Sequence, residues 1–264
     1  MSVRPYFLLL AAAATVSLLG CSAHALTPNA PDFAPSAHRT YRSPLTPGVV
    51  IPLYVQPGKT WKAVIKAKLA HSSVPIVLIA NVDNGPGTAV DSNYVTFIEK
   101  AQMAGIYVLG YVYTKYGKRS ATQVDADIAR WEAFYLTDGI FLDQMAPNAP
   151  SYYQAATTYA HAHSLWFVMG NPGSDALGSS GPDVINFYER AGYPKLGFLR
   201  EPAHVSYGSG KWSYIAGAVP FNAAKIKATA KYVAYLYATD GKEPECYCRL
   251  PSYFASLVAL LDPN

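Results

Sequence analysis

The chain has 264 residues, of which 51% are hydrophobic and 14% charged, with a formal net charge of +4. That composition excludes a largely disordered chain, and the length allows one large domain or two small ones. Lysine and arginine are scattered rather than clustered, so no nucleic-acid partner is expected.

In chain order, residues 1–20 read as a signal peptide of the lipoprotein type. Arg4 supplies a positive start, and the apolar run from Phe7 to Leu19 is too short to span a bilayer. Leu18-Leu19-Gly20-Cys21 resembles a bacterial lipobox, which makes Cys21 the expected lipidation site and a lipid anchor the expected membrane link. Ala23-His24-Ala25 is the competing, ordinary cleavage site; either route exports the protein. Residues 21–45 carry Pro28, Pro31, Pro35 and Pro44 without periodicity and are expected to form a tether.

From residue 46 to 264, apolar β-rich runs alternate with helical stretches. The expected strands are 49–55, 74–81, 106–113, 139–144, 165–172, 183–190, 203–208 and 232–240. The expected helices are 61–70, 92–104, 122–135, 152–163, 223–231 and 252–261, with Gly- and Pro-rich connections after the fifth and sixth strands. Continuous apolar strands suit a sheet covered on both faces. Eight of them within this length predict a single-domain α/β (β/α)₈ barrel. The first strand is followed by no G-x-G-x-x-G, which argues against a dinucleotide fold.

In such a barrel, chemistry sits where strands end. The polar residues expected there are Asn81, Tyr111, Tyr113, Asp143, Gln144, Asn171, Glu189, Tyr207 and Asp240. Asp143 and Glu189 stand out because each closes an apolar strand. Strands two apart are separated by roughly 9–10 Å. Inward-leaning carboxyls would therefore approach to roughly 5–9 Å, a window that includes both the retaining and the inverting glycosidase geometries. Read singly, Asp143 equally well caps a loop and Glu189 equally well pairs with Arg190 or Arg119. The 21 tyrosines and four tryptophans favour the first reading, because aromatic faces stack on sugar rings and Tyr, Asn and Gln hydrogen-bond hydroxyls.

Other chemistries lack their residues. His161 and His163 do not share a helix face, and no His/Asp/Glu cluster shows ligand spacing, so neither a metal nor a cofactor is expected. A serine-hydrolase elbow is missing. Cys246 and Cys248 are too close in sequence for an unstrained bridge and read as incidental.

Taken in order, IPLYVQPG, Trp61, PIVLIANVDNGPG, Asn93-Tyr94, AGIYVLGYVYTKYGKR, GIFLDQ and GNPG resemble the spherulin-4-like family (spherulation-specific family 4) over most of residues 49–240. The resemblance implies a barrel related to secreted glycoside hydrolases that cleave α-1,4-linked N-acetylgalactosamine or galactosamine polymers, such as those of biofilms. It implies catalytic acids at the end of the fourth strand, often adjacent Asp-Glu, and a glutamate ending the sixth. Asp143 matches the first, as nucleophile or charge stabiliser. Glu189 matches the sixth-strand residue, as acid/base. Gln144 departs from the second acid. Asn81, Tyr111, Tyr113, Gln144, Asn171, Tyr207 and Asp240 are the expected substrate-binding residues, and the expected partner is a galactosamine-type polysaccharide met by a monomer. The rival expectation is a barrel that binds glycan without cutting it.

Overall fold

The computed structural model describes residues 39–175, 181–242 and 247–264. Eight parallel strands close into a barrel in sequence order. They are β1 (Gly48–Leu53), β2 (Ile76–Ala80), β3 (Tyr107–Tyr113), β4 (Gly139–Asp143), β5 (Phe167–Asn171), β6 (Val184–Ala191), β7 (Trp212–Gly217) and β8 (Tyr235–Ala238). The helices are α1 (Lys59–Ala70), α2 (Ser92–Met103), α3 (Ala121–Tyr135), α4 (Pro150–Ala162), α5 (Leu196–Leu199), α6 (Pro202–Tyr207), α7 (Ala223–Ala230) and α8 (Phe254–Leu261). The barrel predicted from the sequence is the barrel observed. Among the described residues, no helix is long and apolar enough to cross a membrane.

Two outer contacts show how the wrapping works. Asp91 caps α2 by accepting from the Asn93 and Tyr94 amides, and Ser120 with Gln123 forms a capping box on α3. Gly110 lies on the outer face of β3, where a Cβ would collide with the Trp131 ring; its absence lets α3 settle on the sheet. The Trp131 indole then donates to the Tyr111 carbonyl at 2.8 Å.

Register sets the barrel interior in layers, because paired residues of a parallel sheet point to the same face. Leu109, Gly139 and Phe167 share one rung; Tyr111, Phe141 and Met169 the next; and Tyr113, Asp143 and Asn171 the rung at the mouth. At the opposite end, Tyr41 stacks on Phe167 with ring centroids 4.4 Å apart. Residues 39–45, the described end of the stretch read as tether, thus contribute a plug to the barrel floor.

The seventh strand departs from expectation. Residues 203–208 were expected to be extended, yet Pro202–Tyr207 is α6, and β7 begins at Trp212. Pro202 sits at the first helical position, where its fixed φ starts a turn and its missing N–H costs nothing. The buried His204 holds that turn against the wall, and these tertiary contacts override the β preference of Val205 and Tyr207. A single 3₁₀ turn, Ser209–Lys211, then leads into β7.

Candidate active site

The mouth of the barrel holds a pocket of about 320 Å³ lined by Tyr54, Tyr116, Asp143, Gln144, Asn171, Pro172, Gly173, Glu189 and Tyr247. This lies at the low end of ligand-pocket sizes. None of these lining residues is cationic.

Asp143 and Asn171 reach the pocket by ordinary strand alternation, as neighbours in register on β4 and β5. Glu189 does not. It lies three residues after Asn186, which also faces inward, so strict alternation would turn it outward. A β-bulge between Asn186 and Tyr188 absorbs one residue and aims Glu189 back into the barrel. Tyr188, now outward, packs near Tyr214 and carries the Arg190 guanidinium over its ring.

Asn171 joins the two carboxylates. Its Nδ2 donates to Asp143 Oδ1 at 2.8 Å and to Glu189 Oε2 at 2.6 Å. Two such bonds from one nitrogen keep those oxygens within about 5.4 Å of each other, since an amide NH₂ has just two hydrogens to share. The orientation of the amide is set from behind: Asn171 Oδ1 accepts from Asn186 Nδ2 at 2.9 Å and from the Gly173 amide at 3.0 Å. Asn186, only 1% exposed, accepts in turn from the Ser213 hydroxyl at 3.3 Å. Each carboxylate also takes a phenol: Tyr111 donates to Asp143 Oδ2 and Tyr247 to Glu189 Oε1, both at 2.6 Å. Burial first, and then the neighbouring Asp143 charge, push the Tyr111 phenol well above its ordinary range, so it remains a donor.

Gln144 lines the pocket with a neutral side chain on a left-handed backbone, φ 51°. That conformation is uncommon outside glycine and is held by its carbonyl, which accepts from the Tyr116 amide at 2.8 Å and the Thr114 hydroxyl at 2.7 Å. Tyr54 reaches over from the end of β1; its ring lies 5.3 Å from those of both Tyr111 and Tyr247.

The other expected substrate contacts lie elsewhere. Tyr113 lines a neighbouring polar cavity of about 460 Å³, in which Asp127 pairs with Arg119 at 2.8 Å and Arg130 at 3.2 Å. Asn81 closes its own loop by accepting from the Gly85 amide, while its carbonyl takes the Tyr94 hydroxyl. Asp240 clamps the connection after β8, accepting from Arg249 at 2.8 Å and from the Ser252 hydroxyl at 2.5 Å. Burial is the largest single influence and acts to raise its carboxyl, but the bonds from Ser252 and Arg249 together outweigh it and hold the group below the ordinary carboxylate range. Tyr207, expected at a strand end, is corrected to an exposed site on α6, packed edge-on to Trp212 before β7 and so away from the mouth. Cys21, the signal peptide, most of the tether and Cys246 lie outside the described residues.

Tyr54, Tyr116 and Tyr247 were missed. Tyr54 ends an apolar strand and was legible by the rule that found the others. Tyr247 stands in the loop between two cysteines, and nothing local marks it. Spacing along the sequence shows no metal-ligand cluster; in space, among the described residues, Asp175, Glu201 and His204 bring one potential ligand atom each to within 4.8 Å of one another, outside the pocket. Asp175 is 26 residues from Glu201 in sequence, so spacing could not reveal it.

Similarities to known proteins agree with this architecture. Spherulin-4 of Physarum polycephalum is 37% identical over 118 residues, 44% of this chain and 35% of that protein. The chain thus matches about a third of the relative's length. Sph3 of Aspergillus clavatus, solved in complex with GalNAc, superposes with a TM-score of 0.69 at 21% identity, over 82% of this chain and 98% of that one. The α-amylase of Geobacillus thermoleovorans, complexed with acarbose, superposes at 0.54 and 12% identity over 85% and 78%. At those identities the structural likeness speaks for the fold, which hosts many chemistries. The profile of spherulation-specific family 4 matches residues 48–261, nearly the whole barrel, and the chain belongs to that family.

Proposed function

We propose that this protein is an exported glycoside hydrolase that cleaves an amino-sugar polysaccharide within the chain. The observation that carries the proposal is the bridged pair: two carboxylates at the barrel mouth, held by one amide within about 5.4 Å. Nearest oxygens at most about 5.4 Å apart fit the retaining arrangement, with carboxyls about 5–5.5 Å apart. Asp143 is the nucleophile, its charge steadied by Tyr111 and Asn171. Glu189 is the acid/base; the Tyr247 hydroxyl can donate to its carboxylate or accept from its carboxylic acid. A pocket lined by two carboxylates and no cation suits a positively charged, oxocarbenium-like transition state. Sph3 binds GalNAc, which supports an N-acetylgalactosamine or galactosamine polymer as substrate. Export with a lipid on Cys21 places the mouth among extracellular polymers. Fatty-acid labelling as strong in Cys21→Ser as in the wild type would defeat the lipid on Cys21 and leave secretion open.

The test is hydrolysis of acetylated and deacetylated galactosamine polymers, with the anomer of the first product read by NMR. Retention is expected. Asp143→Asn and Glu189→Gln should each lose at least about 10²-fold in rate, because acid–base help alone is worth about 10²–10⁴. Gln144→Ala should lose less. Near wild-type turnover in Asp143→Asn defeats the assignment. Gln144, standing where relatives place an acid, supports a second reading as a glycan-binding barrel; saturable binding with no turnover by the wild type would select it.

A further inference from the structure

We propose that Asp175, Glu201 and His204 form a site for a divalent transition-metal ion that pins the connection after β5 to α6. The site is separate from the carboxylate pair and plays no part in its chemistry. His204 is 1% exposed, set among the rings of Phe187, Phe198 and Trp212 at centroid distances of 5.0, 4.7 and 5.4 Å. Its Nδ1 lies 2.7 Å from the Phe198 carbonyl oxygen. A carbonyl only accepts, so Nδ1 carries the hydrogen, and Nε2 is the ring nitrogen that faces away from the cage. Nε2 lies 3.1 Å from Asp175 Oδ1, an ion pair when the ring is protonated and two adjacent ligand atoms when it is not.

Glu201 is the N-cap residue of α6, three residues before His204, and each brings one ligand atom to the cluster. Its carboxylate makes no hydrogen bond among the described residues. The three potential ligand atoms lie within 4.8 Å of one another. A divalent cation satisfies all three. The two carboxylates are exposed and free to close to the roughly 2.0–2.2 Å that such bonds require.

The imidazole nitrogen sets the class of ion. Calcium and magnesium take oxygen ligands, whereas one imidazole with two carboxylates suits zinc and its neighbours. The His204 arrangement, with the non-ligating N–H given to a backbone carbonyl, is the outer contact that orients metal-binding histidines. Pro172 and Gly173 line the pocket two and three residues before Asp175. An ion there would therefore stiffen one wall of the pocket.

The experiment titrates Zn²⁺ into untagged, chelator-treated full-length protein by calorimetry and follows thermal unfolding in parallel. One bound ion per chain and a raised Tm are expected, with Ca²⁺ producing neither. Asp175→Asn/Glu201→Gln alters two exposed side chains and should keep the fold by circular dichroism. Its Zn²⁺ affinity should fall at least about 10-fold, as lost ligands and their supports usually cost 10–100-fold. Cys248→Ser should bind as the wild type does. No binding by the wild type, equal binding by the double variant, loss in Cys248→Ser, or an equal response to Ca²⁺ would each overturn the site.

Discussion

The bridging amide makes a prediction about stability as well as chemistry. Asn171→Ala removes the donor that sits 2.8 Å from Asp143 and 2.6 Å from Glu189, and leaves the two carboxylates facing across the gap. Two unit charges about 5 Å apart repel by about 3 kcal/mol at an effective dielectric constant of about 20, a repulsion that the bridging NH₂ offsets in the wild type. The substitution should therefore cost about 3 kcal/mol at neutral pH. In a Glu189→Gln background only one charge remains, and the same change should cost about 1 kcal/mol, the worth of an ordinary hydrogen bond. The coupling between the positions is thus about 2 kcal/mol. Urea unfolding of the wild type, both single variants and the double variant measures it. Additivity within about 0.5 kcal/mol would show that Asn171 does not hold two charges apart, and the argument for a bridged pair would fail.

Three further outcomes follow from other parts of the molecule. Asp262 accepts from Ser73 and contacts His71, and these bonds, the Ser73 bond foremost, hold its carboxyl down to about 2 from an ordinary 3.8. A depressed carboxyl contributes stability that is present above pH 3.8 and lost as pH falls toward 2, so Asp262→Asn should flatten the acid side of a Tm-against-pH curve across that window. Leu136 ends α3 in the left-handed conformation, φ 49°, with its side chain 69% exposed; Leu136→Gly should raise stability by about 0.5–1 kcal/mol in denaturant melts, net of added unfolded-state freedom. Gly110→Ala drives a Cβ into Trp131 and should cost about 3 kcal/mol, read by the same melts, with little change if the helix can shift outward.

Much of the barrel was readable because parallel strands covered on both faces are continuous apolar runs, and β2 to β6 stand where those runs predict. The exception is instructive. AHVSYG has the composition of a strand and WSYIAG follows a Gly-rich turn, yet the first is helical and the second is β7. Proline at the helix start and a buried histidine outweigh weak β preference, and neither is visible as periodicity. Within the site, Asp143 and Asn171 were found because they end apolar strands in register. Tyr207 was misplaced along with its strand, and Asn81 and Asp240, although at or near strand ends, spend their side chains on their own loops.

By itself the sequence determined the fold class, the order of the elements outside the seventh strand, and the family, because hydrophobic patterning and turn residues act over a few neighbours at a time. It also named the two carboxylates. Only the tertiary structure decided that they meet. The bulge that turns Glu189 inward depends on pairing with β7, and the amide that joins it to Asp143 is oriented by Asn186 and Ser213 from two other strands. Tyr247 reaches Glu189 from 58 residues away. Closure of the barrel brings these groups within hydrogen-bonding distance, and contacts at that separation leave no periodic trace in a chain read locally.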